Sequence, residues 1–227
     1  MFRFATLAAT VALILAAAPA ALASTFTIGA KDDENCFPFG CNVSVGTVYQ
    51  QLYSSSAFSG PASITAVSFQ SDPSLGGTVS GGNFTLSAST TSTTLAGINE
   101  FNFASNIGAN NTVVFSGGLS AHFVGGVLTI PFSTPFFYDP AAGNLLLNFN
   151  ISGLVPGGAF FDSNDGTSTV YSRAQNFGSS SVGWGLVTTF DTAVSGVPEP
   201  AMWGLMVVGF GIAGTTMRRR RTASLTA

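Results

Sequence analysis

Leu145-Leu146-Leu147-Asn148-Phe149-Asn150-Ile151-Ser152 decides the fold. Leu145, Leu147, Phe149 and Ile151 alternate with Leu146, Asn148, Asn150 and Ser152. A period of two with one wholly apolar side is the pattern of a β-strand laid against a core. Trp184, Leu186, Thr188 and Phe190 repeat it. Weaker runs of the same kind fall at 46–53, 64–69, 83–88, 112–115, 127–132 and 168–172. Between them lie turn signals such as Asp72-Pro73, Gly76-Gly77, Gly125-Gly126, Asp139-Pro140 and Asp165-Gly166. No stretch of residues 24–196 carries a long 3.6-residue period. Eight to ten strands over this length predict an all-β domain, a single β-sandwich of jelly-roll or Greek-key type. The chain holds 21 Phe while only 7% of its residues are charged, which suits a packed extracellular β-domain and is the reverse of a disordered composition. The phenylalanines are read as the core of the sandwich rather than as a binding face.

Both ends outside this domain read as addresses. Arg3, an apolar run at 7–18 and the small residues Ala21-Leu22-Ala23 form a secretory signal peptide over 1–23, with Ser24 as the first mature residue. At the other end, residues 201–217 carry no charge, the lower limit for a membrane-crossing helix. In a bilayer a helix satisfies its own backbone groups. Trp203 sits where an interfacial aromatic belongs, and Arg218, Arg219, Arg220 and Arg221 stop the span on the cytoplasmic side. Pro198-Glu199-Pro200 precedes the span; two prolines fix φ and remove two N–H donors, so the stretch stays extended and open to a protease. The organisation is thus 1–23 signal peptide, 24–196 exported domain and 197–227 sorting signal.

The whole-chain net charge of −3 hides an acidic domain. Residues 24–196 hold nine carboxylates against Lys31 and Arg173, a net charge of −7. No basic face is left, which argues against nucleic acid as a partner and against electrostatic docking of the domain on anionic lipid. Cys36 and Cys41 are the only cysteines, and in an exported chain the pair reads as a disulfide around Pro38 and Gly40.

No catalytic constellation stands out. There is no G-x-S-x-G elbow, and His122 is the only histidine, read as a surface or loop residue. Asp162-Ser163-Asn164-Asp165-Gly166 offers oxygen ligands for Ca²⁺ through Asp162, Asn164 and Asp165. The EF-hand spacing fails, because Gly166 falls at position 5 and Gln175 two past position 12; a polar turn with Asp165-Gly166 at its tip is the better reading. No cofactor is implied. Carbohydrate binding remains open through Tyr53, Tyr138, Tyr171 or Trp184. A glycoside hydrolase or lyase would need two carboxylates about 5–10 Å apart in a cleft.

Val197-Pro198-Glu199-Pro200-Ala201-Met202-Trp203-Gly204, the glycine-rich span and the arginine cluster resemble the PEP-CTERM sorting signal, in the form with Trp three residues after the second Pro. Such a segment is also called the C-terminal domain of ice-binding proteins, a label that adds no activity. The resemblance implies a Gram-negative cell envelope and an exosortase-like membrane protease as partner. Tyr49-Gln50-Gln51-Leu52-Tyr53, Ile64-Thr65-Ala66-Val67-Ser68-Phe69, Asn106-Ile107-Gly108-Ala109-Asn110 and Pro135-Phe136-Phe137-Tyr138-Asp139-Pro140, leading into Gly143-Asn144, resemble a recurring protein type within that group. These motifs look like strand starts and turns, and they imply a shared fold without an assigned activity. The expectation is a non-enzymatic surface or matrix protein, held by its C-terminal helix, processed at the Pro-Glu-Pro motif and associated with envelope exopolysaccharide.

Overall fold

The structure, a computed structural model, describes residues 23–193 except 73, 154, 157 and 177–180, together with 209–210. The Pro-Glu-Pro motif, Trp203 and the arginine cluster lie outside the described residues, as do residues 1–22, which include Ala21, and all of the 201–217 span except Gly209 and Phe210. Among the described residues no helix is long and apolar enough to cross a membrane.

The described chain is all-β. Its strands are β1 (Ala23–Ile28), β2 (Asp33–Asn35), β3 (Val48–Tyr53), β4 (Ala62–Gln70), β5 (Phe84–Thr91), β6 (Thr112–Gly117) and β7 (Phe123–Val124). They continue as β8 (Val127–Tyr138), β9 (Asn144–Ile151), β10 (Phe161–Asp165), β11 (Tyr171–Gln175), β12 (Ser181–Val182), β13 (Trp184–Leu186) and β14 (Thr188–Ala193). All pairings are antiparallel. They form a five-stranded sheet β1-β14-β4-β8-β7, a six-stranded sheet β12-β11-β3-β9-β5-β6 and a small sheet β13-β10-β2.

The two large sheets bury one common core. Ile64, Val67 and Phe69 of β4, Leu128 and Ile130 of β8 and Phe190 of β14 meet Tyr49 and Tyr53 of β3 and Leu145, Leu147 and Phe149 of β9. Rings touch from sheet to sheet: Tyr53 and Phe190 lie 5.1 Å apart, Phe69 and Phe149 6.3 Å. Phe39 enters from the loop between β2 and β3, which a disulfide between Cys36 and Cys41 closes with a Cα separation of 5.3 Å. Gly40 lets this loop lie flat on its neighbour, since a Cβ there would come within 2.5 Å of the Ala159 carbonyl oxygen.

Three sequence expectations need correction. Residues 184–190 are not one strand. Leu186, Thr188 and Phe190 do all point inward, but Val187 gives its N–H to the Asp162 carbonyl, and the chain changes sheet there. The run at 168–172 lies later, at 171–175. Asp162-Ser163-Asn164-Asp165 is strand β10, not a turn; the turn begins at Gly166, whose φ of 105° suits glycine.

Strand β9 is buried on both sides. Its second face, with Leu146 and Asn148, lies beneath residues 92–111, which bring Ile98, Leu95, Phe103 and Ile107 onto Leu52, Leu146 and Ala174. A polar clasp fixes this cover. Asn106 donates to the Gln50 side-chain oxygen at 2.7 Å, and Gln50 donates to Asn148 at 2.9 Å and to the Phe103 carbonyl at 3.0 Å.

Candidate functional site

The ends of the domain meet. Ala23, the last residue of the expected signal peptide, opens β1 and pairs with Ala193 at the close of β14. Ser24, the expected mature terminus, is bound into the sheet: its hydroxyl lies 2.9 Å from that of Thr192, which also donates to the Ser24 carbonyl. Beside this junction opens a groove of about 420 Å³ lined by Phe26, Phe58, Pro61, Phe137 and Ala193. The two segments read as addresses therefore join the domain at neighbouring points on one end of one sheet.

A second cluster gathers acids. The Lys31 ammonium contacts Asp72, lies 3.0 Å from Glu34 and 3.2 Å from Asp162. Glu34 and Asp162 are cross-strand partners in the β2–β10 pair, and Asp72 follows β4. The contact with Lys31, supported by the Ser74 hydroxyl and N–H, holds the Asp72 carboxyl below the usual carboxylate range. A glycosidic general acid needs the opposite shift. The described cavities, of about 420, 330 and 220 Å³, are lined by other residues.

This clasp makes stability depend on acid. Asp72 titrates near 3.9 when unfolded and lower when folded. Its contribution is therefore present above about pH 4 and is lost as the pH falls through the folded value. Asp72→Asn is expected to lower the urea midpoint at pH 7 and to leave the pH 3 midpoint closer to wild type. Equal loss at both pH values would show that the charge is irrelevant.

The oxygen ligands considered for calcium do not converge as a turn. Asp162 faces Lys31, and the Asn164 amide donates to Asp32 at 2.5 Å while its oxygen accepts the Ser168 N–H at 2.9 Å. Asp165, odd in the strand period, is exposed on the other side, its N–H donating to Asp32 at 3.0 Å.

The aromatics considered for sugar binding are spent on packing. Tyr53, Tyr138 and Tyr171 are fully buried. Trp184 is half-buried and covers the Arg173 guanidinium at 5.0 Å. Around them runs a buried network that periodicity could not reveal. The Tyr49 hydroxyl donates to Gln51 at 2.8 Å, and Gln51 donates to the Tyr53 hydroxyl and to the Leu186 carbonyl, each at 2.8 Å. Leu186 returns its N–H to Gln51 at 2.9 Å, and the Tyr53 and Thr188 hydroxyls lie 2.7 Å apart. Burial pushes the Tyr49 hydroxyl up to about 12, with Arg173 pulling the other way, and it raises the Tyr53 hydroxyl well above its ordinary value. These phenols stay neutral at physiological pH, where each can donate a hydrogen bond within the network. His122 packs edge-on against Phe115, with centroids 5.4 Å apart.

Among the described residues the most exposed aromatic is Phe101, 91% accessible. Its loop is nonetheless fixed: Asn99 accepts the N–H groups of Phe101 and Asn102, each at 2.8 Å, and Asn106 brackets Asn99 through its N–H and carbonyl. A rigid loop thus carries an apolar ring into solvent. Nothing in composition distinguished this one phenylalanine from the rest.

Comparison with known proteins adds no relative: no family model, no curated protein and no solved structure matches the chain.

Proposed function

We propose that the chain is a non-enzymatic exported protein of the cell surface or extracellular matrix. A β-sandwich of jelly-roll or Greek-key type is held at the membrane by residues 201–217, then cut at Pro198-Glu199-Pro200 by an exosortase-like protease and handed to envelope exopolysaccharide. The pairing of Ala23 with Ala193 supports this reading most directly, because it brings both address segments to one end of the domain. Eight residue steps separate Ala193 from Ala201, a reach of at most about 28 Å. That end of the domain then faces the membrane and the protease, and the rest points away.

Replacing Pro198, Glu199 and Pro200 by alanine is expected to make a full-length, membrane-bound form accumulate. Intact-mass measurement of the wild-type protein at steady state should find the Arg218–Arg221 tail removed; a retained tail sinks the processing reading.

A carbohydrate-binding module is the second reading, and Phe101 on its fixed loop favours it. An apolar ring on a hydrogen-bonded loop offers a stacking surface whose backbone is already ordered, which lowers the cost of binding. A glycan array probed with the protein, with and without Ca²⁺, should show signals that Phe101→Ala lowers about tenfold, the loss of roughly 1.4 kcal/mol of contact. An array with no signal dismisses the reading.

A further inference from the structure

The two large sheets end in four edge strands, and three of them are closed to a new neighbour. β7 and β12 are two residues long. β6 shifts register against β5 between Leu86 and Ser87, and its Val114 carbonyl accepts the Ser133 hydroxyl. The fourth edge, β1, spans six residues, five of them (24–28) in the expected mature chain; it pairs with β14 in unbroken register and has no strand on its other side among the described residues. A long, regular edge with unpaired N–H and C=O groups is a template for another strand. Natural edges are blunted by lysine, proline, bulges or inward charge. Ala23-Ser24-Thr25-Phe26-Thr27-Ile28 has none of these, and its Thr, Phe and Ile favour extended backbone.

We propose that β1 pairs antiparallel with β1 of a second copy about a two-fold axis at Phe26, joining two five-stranded sheets into one of ten strands. The faces require an axis on a residue rather than between two, and Phe26 is the middle of 24–28, the part of β1 that the expected mature chain keeps. Phe26 and Ile28 point into the core, while Thr25 and Thr27 are exposed. With Phe26 opposite its twin, Ser24 falls opposite Ile28 and Thr25 opposite Thr27, so every pair shares a face. A slip of one residue would set Phe26 against Thr25 and mismatch the whole strand.

Each side gains from this register. Phe26 is only half-buried, stacked on Phe190 at 5.4 Å and edge-on to Phe58 at 5.5 Å, and its twin covers the open side. Thr25 facing Thr27 repeats across the seam the hydroxyl contact that Thr27 and Thr189 make at 2.8 Å within the sheet. A two-fold interface needs a self-complementary register, and the Phe26–Phe26 and Thr25–Thr27 pairs supply one to a second copy. The acidity of the domain does not oppose it. Asp191 is the only carboxylate on β1 and β14, and it sits opposite Thr25. Across the seam two such residues are three strand spacings apart, about 14 Å, beyond a Debye length of about 8 Å in physiological salt.

The test uses the full chain in detergent micelles. Thr25→Cys and Thr27→Cys proteins are oxidised separately and as a mixture, then run on a non-reducing gel. The mixture should yield roughly tenfold more linked dimer than either alone, because directly opposed Cα atoms lie about 4.5–5.5 Å apart, within disulfide reach, and the diagonals lie about 7–8 Å apart. Thr27→Lys, a charge on the open edge opposite Thr189 rather than Asp191, should convert the wild-type dimer to monomer in sedimentation with an unchanged near-ultraviolet circular dichroism spectrum. Linking that ignores the pairing, a wild-type monomer at every concentration, or a dimer that survives Thr27→Lys would each overturn the proposal. None of these readouts depends on processing at the Pro-Glu-Pro motif.

Discussion

Phe39→Ala is expected to cost the domain about 3–5 kcal/mol, as large aromatic truncations in packed cores do. Phe39 is fully buried, and four rings surround it: Phe69 at 5.0 Å, Phe149 at 5.4 Å, Phe161 at 5.5 Å and Phe84 at 5.8 Å. Those rings belong to β4, β9, β10 and β5, so one loop residue ties together strands from all three sheets. Regular strands hold the vacated space apart and cannot collapse into it, which places the loss toward the upper end of the range. Against a typical total of about 5–15 kcal/mol, this is a large fraction of stability. Urea unfolding followed by near-ultraviolet circular dichroism should show a much lower midpoint with an unchanged slope. Phe101→Ala, an equally large truncation at the surface, should stay within about 0.5 kcal/mol of wild type. Similar losses for the two would mean that Phe39 is not the keystone its contacts describe.

Phe39 also marks the limit of what the sequence discloses. Its neighbours Cys36, Pro38, Gly40 and Cys41 announce a tight loop, yet nothing in their spacing says that the loop points a ring inward. The longer strands were legible: the strong alternation at 145–152 emerges as β9 (Asn144–Ile151), and the weaker runs at 64–69 and 127–132 as parts of β4 and β8. Short strands were not. β2 and β10 are built from Asp33-Glu34-Asn35 and Phe161-Asp162-Ser163-Asn164-Asp165, a composition that reads as turn. They extend because Lys31 neutralises the facing carboxylates and Asp32 ties down Asn164, contacts between residues distant in sequence. The edge strand β1 was hidden for another reason. It begins at the expected signal-peptide cut, and its short alternating run was overshadowed by the processing signal before it.

The polar residues of the quoted motifs divide in the same way. Gln50 and Gln51 are adjacent and serve opposite faces of β3, Gln50 clasping the 92–111 cover and Gln51 the strand β13. Asn144 opens β9 and receives the Ser55 N–H at 2.8 Å while donating to the Thr93 carbonyl at 2.8 Å. At Gly108 a side chain would overlap the Thr90 carbonyl oxygen. These are structural duties, as strand starts and turns should have. The two end segments, by contrast, are read as address signals from local composition alone, and what the structure adds is the pairing of Ala23 with Ala193, where they would attach.

Gln51→Leu is the second substitution with a large expected effect, a loss of about 2–6 kcal/mol despite a nearly equal volume. The side chain accepts from the Tyr49 hydroxyl and the Leu186 N–H. It also donates to the Tyr53 hydroxyl and the Leu186 carbonyl, both of which keep Thr188 as a partner. Leucine therefore orphans two buried donors, each costing about 1–3 kcal/mol when left without an acceptor. Tyr49→Phe removes one of those donors and leaves Gln51 still bound to Leu186, a loss of about 1 kcal/mol. In the double variant only the Leu186 N–H is stranded, so the combined loss should fall short of the sum by about 1 kcal/mol or more, the range of coupled neighbours. The cycle is read from urea midpoints. Strict additivity would mean that the Tyr49 and Gln51 side chains act independently, and that burial alone, without the bonds between them, fixes β3 against β13.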